Sequence, residues 1–386
     1  TAGGIKLAVR TPEAMINTFG AAMDGETDDG DVMSRALVRQ NKVMLPRGTT
    51  YLNRDLQAEN ITAAWNGMVG QGHESVVKLG ASGRIKVQNR SPGGALGFTQ
   101  YPQQGISDLT IDGNAKTAPY GVICGPDTDQ GHSGVNSSCN GVQFNNVAIV
   151  GVGVAWACGY TTANLWTNCF VRDCDYGWFM YTNTNSSAAD MWVLTSPKVN
   201  SNDIAGVVGY SKSTNMVSGS ITGGMFNDNS GWGCFFKSDF AQDCYTLTNC
   251  HFESNGTDEN GIAPDVTVKD ANLTLEPGDI YADNVSLILM GCNSTNGFIQ
   301  AVNRAVVTII GGKYSVYGLN PETVQKFKGS DETAIISLSG GVAFDNPSLM
   351  TNTTIRYDGA MRITGNQSDR MFMSSRIPWG IRSCKG

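Results

Sequence analysis

A frame of five residues recurs down the middle of the chain. It reads Phe170-Val171-Arg172-Asp173-Cys174, Lys198-Val199-Asn200-Ser201-Asn202, Met225-Phe226-Asn227-Asp228-Asn229, His251-Phe252-Glu253-Ser254-Asn255 and Cys292-Asn293-Ser294-Thr295-Asn296. First residues are spaced 28, 27, 26 and 41 apart. A period of about 20 to 50 residues marks a solenoid, in which each repeat buries a face only against its neighbours. After each frame a second strand opens on glycine: Gly177-Trp178-Phe179-Met180, Gly206-Val207-Val208, Gly233-Cys234-Phe235-Phe236, Gly261-Ile262 and Gly297-Phe298-Ile299. Two strand signals per repeat imply stacked coils. Asn202, Asn229, Asn255 and Asn296 are expected to stack as a structural ladder, hydrogen-bonding along the rod. Within this array Glu253 stands where other repeats carry Asn, Arg or Ser.

Composition agrees with many short strands. The 47 glycines among 386 residues, with only 16% charged residues, supply the positive φ of tight turns and leave long helices unexpected. A net charge of -7 and the absence of a basic cluster argue against nucleic acid, whose phosphates need grouped Lys and Arg. The weakly polar run from Val147 to Gly159 is interrupted by glycines and too short to cross a bilayer, and Thr1 to Thr11 lacks the apolar core of a signal peptide. The ten cysteines contain no C-x-x-C pair and only three histidines accompany them. No metal or cofactor is therefore expected, and the thiols read as small buried hydrophobes, with disulfides as the alternative.

Ahead of the array, Asp28 or Asp29 can cap a helix running to about Val38, with Val32, Met33, Ala36 and Leu37 at helical spacing. A strand, Lys42 to Gly48, follows, with Tyr51 and Leu52 beyond the turn. A short helix at this place suits a solenoid cap, which covers apolar surface and strand edges. Runs at Val76–Leu79, Ile85–Val87, Ile106–Asn114 and Val142–Val150 each suit one strand of a coil, and Asp127 to Asn140 reads as a loop leaving it. The expected organisation is a cap over 1–55, a parallel β-helix over 56–340 and a small carboxy-terminal β region over 341–386.

The block from Phe19 to Leu52 resembles the amino-terminal motif of the pectate-lyase-like right-handed β-helix superfamily, in the branch that includes bacteriophage tailspikes. The matching residues are Phe19-Gly20-Ala21, Asp24-Gly25, Asp28-Asp29, the helix, and Leu45-Pro46-Arg47-Gly48. The resemblance implies an all-β, right-handed parallel β-helix. It also implies a homotrimer on the virion tail that meets a bacterial polysaccharide (capsule, exopolysaccharide or O-antigen) outside the host cell.

Neighbouring strands lie about 4.8 Å apart, so carboxylates on adjacent coils can reach the spacing of about 5–9 Å used by glycosidase pairs. The catalytic candidates are Glu253, Asp228, Asp203, Asp173 and Asp175. Glu253 stands in a Phe-Glu-x-Asn setting that resembles the catalytic Glu position of several tailspike depolymerases. Substrate-binding candidates are Trp232 and Tyr176, placed at turns where a flat ring can stack on a sugar, with Trp192, Arg172 and His251. Asp239 and Asp243 read as solvated loop residues. The functional expectation is a glycoside hydrolase acting as a depolymerase; the alternatives are a receptor-binding fibre that does not cut, or a secreted polysaccharide lyase. Arg172 beside Asp173 and Asp175 leaves lyase chemistry open. A polygalacturonase would need Asn-Thr-Asp, Asp-Asp and Gly-His-Gly before Arg-Ile-Lys, whereas Arg84-Ile85-Lys86 comes first here. His132 and His251 could serve as bases, yet neither has a partner visible in sequence.

Overall fold

The computed structural model describes residues 14–39, 43–57, 67–87, 103–125, 139–159, 161–182, 189–212, 214, 216–240, 243–258, 261–262, 265–269, 271, 273–315, 327–329, 333–340, 342–344, 350–351, 354–358 and 362–363. The expected loop from Asp127 to Asn140, with His132, lies outside them except for its last two residues. One coil shows the plan of the rest. The chain runs through Val217–Thr222, bends at Gly223, continues through Met225–Asn227, turns at Asp228 and returns through Trp232–Ser238. The first two strands of each coil join a 26-stranded sheet and the third joins an 11-stranded sheet. Successive coils pair in parallel, strand upon strand. This is the parallel β-helix expected from the repeat.

The three-residue strands show why these residues suit a coil wall. In Lys198–Asn200, Met225–Asn227 and His251–Glu253 the middle residues Val199, Phe226 and Phe252 are buried while both flanks face outward, because side chains alternate across a strand. Phe226 and Phe252 stack at 4.7 Å between ring centroids. The bend before each such strand needs a left-handed backbone, and Asn168, Ser196, Gly223 and Asn249 supply it in consecutive coils. Each bend residue donates its N–H to the next coil, as Gly223 does to the Thr248 carbonyl at 2.9 Å.

The asparagine ladder forms with a different terminus from the one expected. Asn202 Nδ2 donates to Asn229 Oδ1 at 2.8 Å, and Asn229 Nδ2 donates to Asn255 Oδ1 at 2.7 Å. Asn255 Nδ2 then donates to Asp279 Oδ1 at 2.8 Å, not to Asn296. His251 pairs with Asn293 and Glu253 with Thr295, so the fifth frame starts one residue later than the sequence reading placed it. Asn296 is consequently the left-handed turn residue of its coil, and Gly297 occupies the ladder position. A Cβ on Gly297 would lie 2.2 Å from Asp279 Oδ1; the glycine vacates the space that the Asp279 carboxylate fills. Ser294 Oγ donates to the other oxygen of that carboxylate.

The long fourth interval has a matching cause. Gly261–Ile262 does not open a coil strand; it pairs antiparallel with Thr257–Asp258. A second hairpin, Val266–Val268 with Leu273–Leu275, follows, and the coil resumes at Ile280–Asp283.

At the amino end, the helix spans Gly30–Arg39, with Met33, Ala36 and Leu37 buried. Asp28 Oδ1 accepts the Gly30 N–H at 3.0 Å, and Arg54 Nε donates to Asp28 Oδ2 at 2.8 Å. Neither expected boundary interrupts the parallel ladder: Gly48–Leu52 pairs with Ser75–Leu79 across 55/56, and Ile335–Ser339 pairs with Thr354–Asp358 across 340/341. The nine described cysteines are free thiols, and all but Cys244 are buried. Burial pushes Cys169 and Cys174 up to about 12, which leaves them inert as nucleophiles.

Candidate functional site

Two outward rows and one turn row form a polar corner along the rod. Arg172, Asn200, Asn227, Glu253 and Thr295 stand in register on successive coils. Two residues earlier in each strand, Phe170, Lys198, Met225, His251 and Asn293 form a parallel row. Immediately after Glu253's row comes the turn row Asp173, Ser201, Asp228, Ser254 and Asn296, all left-handed with φ of 57, 52, 52, 56 and 68. The Asp228 N–H donates to the Glu253 carbonyl at 2.9 Å, fixing these two residues on adjacent coils of one exposed corner. The Glu253 side chain is 50% exposed, and its Oε2 lies 3.2 Å from His251 Nε2. His251 thus has a partner the linear sequence does not advertise, two residues along the same strand face.

Asp203 and Asp175 come together, but around a cation. Lys116 Nζ lies 2.7 Å from Asp175 Oδ1 and 2.5 Å from Asp203 Oδ2. The lysine arrives on an excursion that follows strand Gln103–Asp112, in which Asn114, Ala115 and Lys116 all have positive φ. Partial burial works against its charge, yet the hydrogen bonds of both carboxylates outweigh that and hold its pKa above the ordinary value. Asp173 is likewise paired, its Oδ2 2.9 Å from Arg172 Nε, and the same guanidinium lies over the Phe170 ring. Three of the five carboxylate candidates therefore carry a counter-ion.

The aromatic candidates are placed against the sequence reading. Trp192 and Trp232 are completely buried and Tyr176 nearly so, so none offers an open face to a sugar. Trp192 points into the coil against Tyr245, 6.0 Å between centroids. Tyr176 and Trp232 do not sit at turns: each opens a third strand, Tyr176–Thr182 and Trp232–Ser238, on the outer side of the 11-stranded sheet. There they join one apolar cluster with residues of the second hairpin, Val266, Val268, Leu273 and Leu275. The Lys269 N–H donates to the Tyr176 hydroxyl at 2.7 Å, and its ammonium lies over the Tyr120 ring.

Of the two carboxylates expected in solvated loops, Asp239 does lie exposed at a bend after Trp232–Ser238, though held by its neighbours, whereas Asp243 is buried. Asp239 accepts the Tyr210 hydroxyl at 2.7 Å and Lys237 Nζ at 2.7 Å, and the same ammonium lies 3.0 Å from Asp283 Oδ2. The Asp283 side chain is only 4% exposed, and Asn303 Nδ2 also donates to it. Asp243 opens strand Asp243–Thr248 and is completely buried. Its Oδ1 accepts the Val217 N–H at 3.1 Å, while Oδ2 has no hydrogen-bond partner. Burial raises this carboxyl to about 7, partly opposed by the Val217 N–H and the Ser238 hydroxyl. Among the described residues no group of three His, Cys, Asp or Glu side chains is arranged to hold a metal ion, and no helix is long and apolar enough to cross a membrane.

No family model matches the sequence, and no curated protein is detectably similar to it. Solved structures do match. ORF18 of Geobacillus virus E2 superposes with a TM-score of 0.52 at 14% identity, over 92% of this chain and 62% of that one; the chain thus spans less than two thirds of that viral protein. The Agl-KA catalytic domain matches with a TM-score of 0.50 at 13% identity, over 93% of this chain and 69% of that one. The enzymatically active domain of bacteriophage CBA120 tailspike protein 2 matches at 0.47 and 14% identity, over 92% and 48%. At these identities the likeness is one of fold. The chain has a parallel β-helix fold, the architecture that its repeat announces.

Proposed function

We propose that the chain is a tailspike-type rod that binds a bacterial surface polysaccharide and hydrolyses it at the corner formed by Glu253 and Asp228. The observation that carries this reading is the placement of two exposed carboxylates on adjacent coils of a polar strip, with His251 against Glu253. A strip that continues from coil to coil suits a chain-like ligand. One carboxyl would protonate the leaving oxygen while the other attacks the anomeric carbon or activates water. His251, 3.2 Å from Glu253, would orient that carboxyl. The viral origin of one structural neighbour and the tailspike-like amino-terminal motif support a virion tail location and a homotrimer, in which a neighbouring copy could complete the cleft.

Binding without cleavage is the second reading, and the ion pairs that occupy Asp173, Asp175 and Asp203 favour it. The two separate on reducing ends released from purified capsular, exopolysaccharide and O-antigen preparations. Hydrolysis predicts release that Glu253→Gln lowers by about 10²–10⁴-fold, the scale of lost acid–base catalysis, with binding retained. A polysaccharide that binds and is never cut would sink the hydrolase reading; an absorbing unsaturated uronate product would replace it with a lyase.

A further inference from the structure

The insertion that follows the Glu253 strand is an appendage to its coil. His251 pairs with Asn293, an interval of 42 residues, against 26 from Met225 to His251 and 20 from Asn293 to Lys313. Taking away the 20 residues 257–276 would leave 22, inside that range. The two ends of the insertion abut, since a Cβ on Gly256 would strike the Pro277 carbonyl. Gly256 has a left-handed φ of 69, and its N–H is shared between the Asn229 and Gly231 carbonyls at 2.8 and 3.0 Å. The chain thus leaves the coil and rejoins it at one point. Outside that point lie the two hairpins, Thr257–Asp258 with Gly261–Ile262 and Val266–Val268 with Leu273–Leu275.

The second hairpin does not stay beside its own coil. Along the 11-stranded sheet the third strands run Tyr120–Cys124, Val154–Cys158, Tyr176–Thr182, Ala205–Ser211, Trp232–Ser238 and Ile280–Asp283. The insertion leads into the last of these. Its Lys269 N–H nevertheless donates to the Tyr176 hydroxyl, three strands back, and the Lys269 ammonium lies over the Tyr120 ring, five strands back. Five strands at about 4.8 Å make about 24 Å. Val268 is completely buried in one cluster with Tyr120, Tyr176 and Trp232, and Val266, Ala271, Leu273 and Leu275 pack against that cluster. In a plain solenoid each coil meets only its neighbours, so opening can spread coil by coil. We infer that 257–276 is a clasp: docked across the outer face of the sheet, it couples coils that no neighbour contact links and makes the rod over 120–283 one cooperative unit. The clasp starts at the Glu253 corner, where Thr257 Oγ1 donates to the carbonyl of Ser254, the residue after Glu253, at 2.7 Å. Its docking therefore also holds strand His251–Glu253, and with it the corner shared with Asp228. The coupling is a property of the fold and does not depend on what that corner binds.

Hydrogen exchange read by mass spectrometry tests this on three proteins. They are the full chain, a chain in which Gly256 is joined directly to Pro277, and the double variant Tyr176→Phe, Lys269→Ala. The double variant keeps the clasp but removes the hydroxyl and the ammonium that anchor it. Exchange of Tyr120–Cys124, Tyr176–Thr182 and His251–Glu253 should quicken by about tenfold or more in the joined chain and by a smaller factor in the double variant, because exchange reports the cost of opening each unit. Strand Ile335–Ser339, farther along the rod, is the internal control and should keep the parent's rate. Parent rates in the first two strands of both variants would overturn the clasp. So would a rise that includes Ile335–Ser339 equally, since it would mark general destabilisation. Faster exchange in Tyr120–Cys124 and Tyr176–Thr182 with His251–Glu253 unchanged would overturn the hold on the Glu253 corner. If the joined chain does not fold, the double variant decides, and parent rates throughout it overturn the clasp.

Discussion

Replacing Asp243 with asparagine should stabilise the protein at alkaline pH and destabilise it by about 1–3 kcal/mol in acid, where only the cost of the unmet amide N–H₂ remains. The carboxyl is completely buried, takes one backbone hydrogen bond from Val217 and sits at about 7 against an ordinary 3.8. Between those two values the folded chain keeps a proton that the unfolded chain has released. Stability therefore falls as pH rises from about 4 to about 7 and is level above it. Three pKa units correspond to about 4 kcal/mol at about 1.4 kcal/mol each, an upper bound for a site that relaxes around its charge. An amide escapes this cost but brings an N–H₂ that needs an acceptor, worth about 1–3 kcal/mol if left unmet. The net expectation is a gain of about 1–3 kcal/mol at pH 8. Asn164 shows that the geometry accepts an amide: its Oδ1 takes the Val142 N–H at 2.9 Å from the preceding coil, as Asp243 takes that of Val217. Urea unfolding midpoints of the two proteins, measured from pH 4 to pH 8.5, should shift in favour of asparagine from about pH 4 to about pH 7 and keep a constant difference above that. Parallel pH profiles would refute the argument, because they would mean that Asp243 carries no excess proton in the folded state.

Two further substitutions probe the rod itself. Asn229→Ala removes a side chain that accepts from Asn202 and donates to Asn255, leaving buried amide groups unmet; a loss of about 2–5 kcal/mol should appear as a lower unfolding midpoint or insoluble protein. Gly297→Ala drives a methyl into the Asp279 carboxylate and should cost about 1–3 kcal/mol by overpacking, read as an unfolding midpoint lower than the parent's.

Where the repeat is regular, the sequence is sufficient. Frames beginning at Phe170, Lys198, Met225 and His251 pair in the register that their spacing implies, because a fixed period puts equivalent residues on one line of the wall. Glu253 and Asp228 were legible as neighbours on adjacent coils for the same reason. The register is lost at the fifth frame: two hairpins intervene, and only backbone pairing shows that His251 meets Asn293. Nothing local in Asn114-Ala115-Lys116 indicates that Lys116 will close on Asp175 and Asp203, 59 and 87 residues away.

The rings at Tyr176 and Trp232 mislead in a related way. An aromatic at the start of a strand carries the same sequence signal whether it faces solvent or a covering hairpin, and here the segment Val266–Leu275 joins their cluster. Phe240 is the converse case, an exposed ring in a short loop with no pattern to announce it. Alternation and period, which are properties of the backbone, are written in the sequence and determine the coil and the Glu253 corner. Which charges are neutralised, which rings are covered and where the amide ladder ends depend on segments that meet through space, and only the tertiary structure decides them.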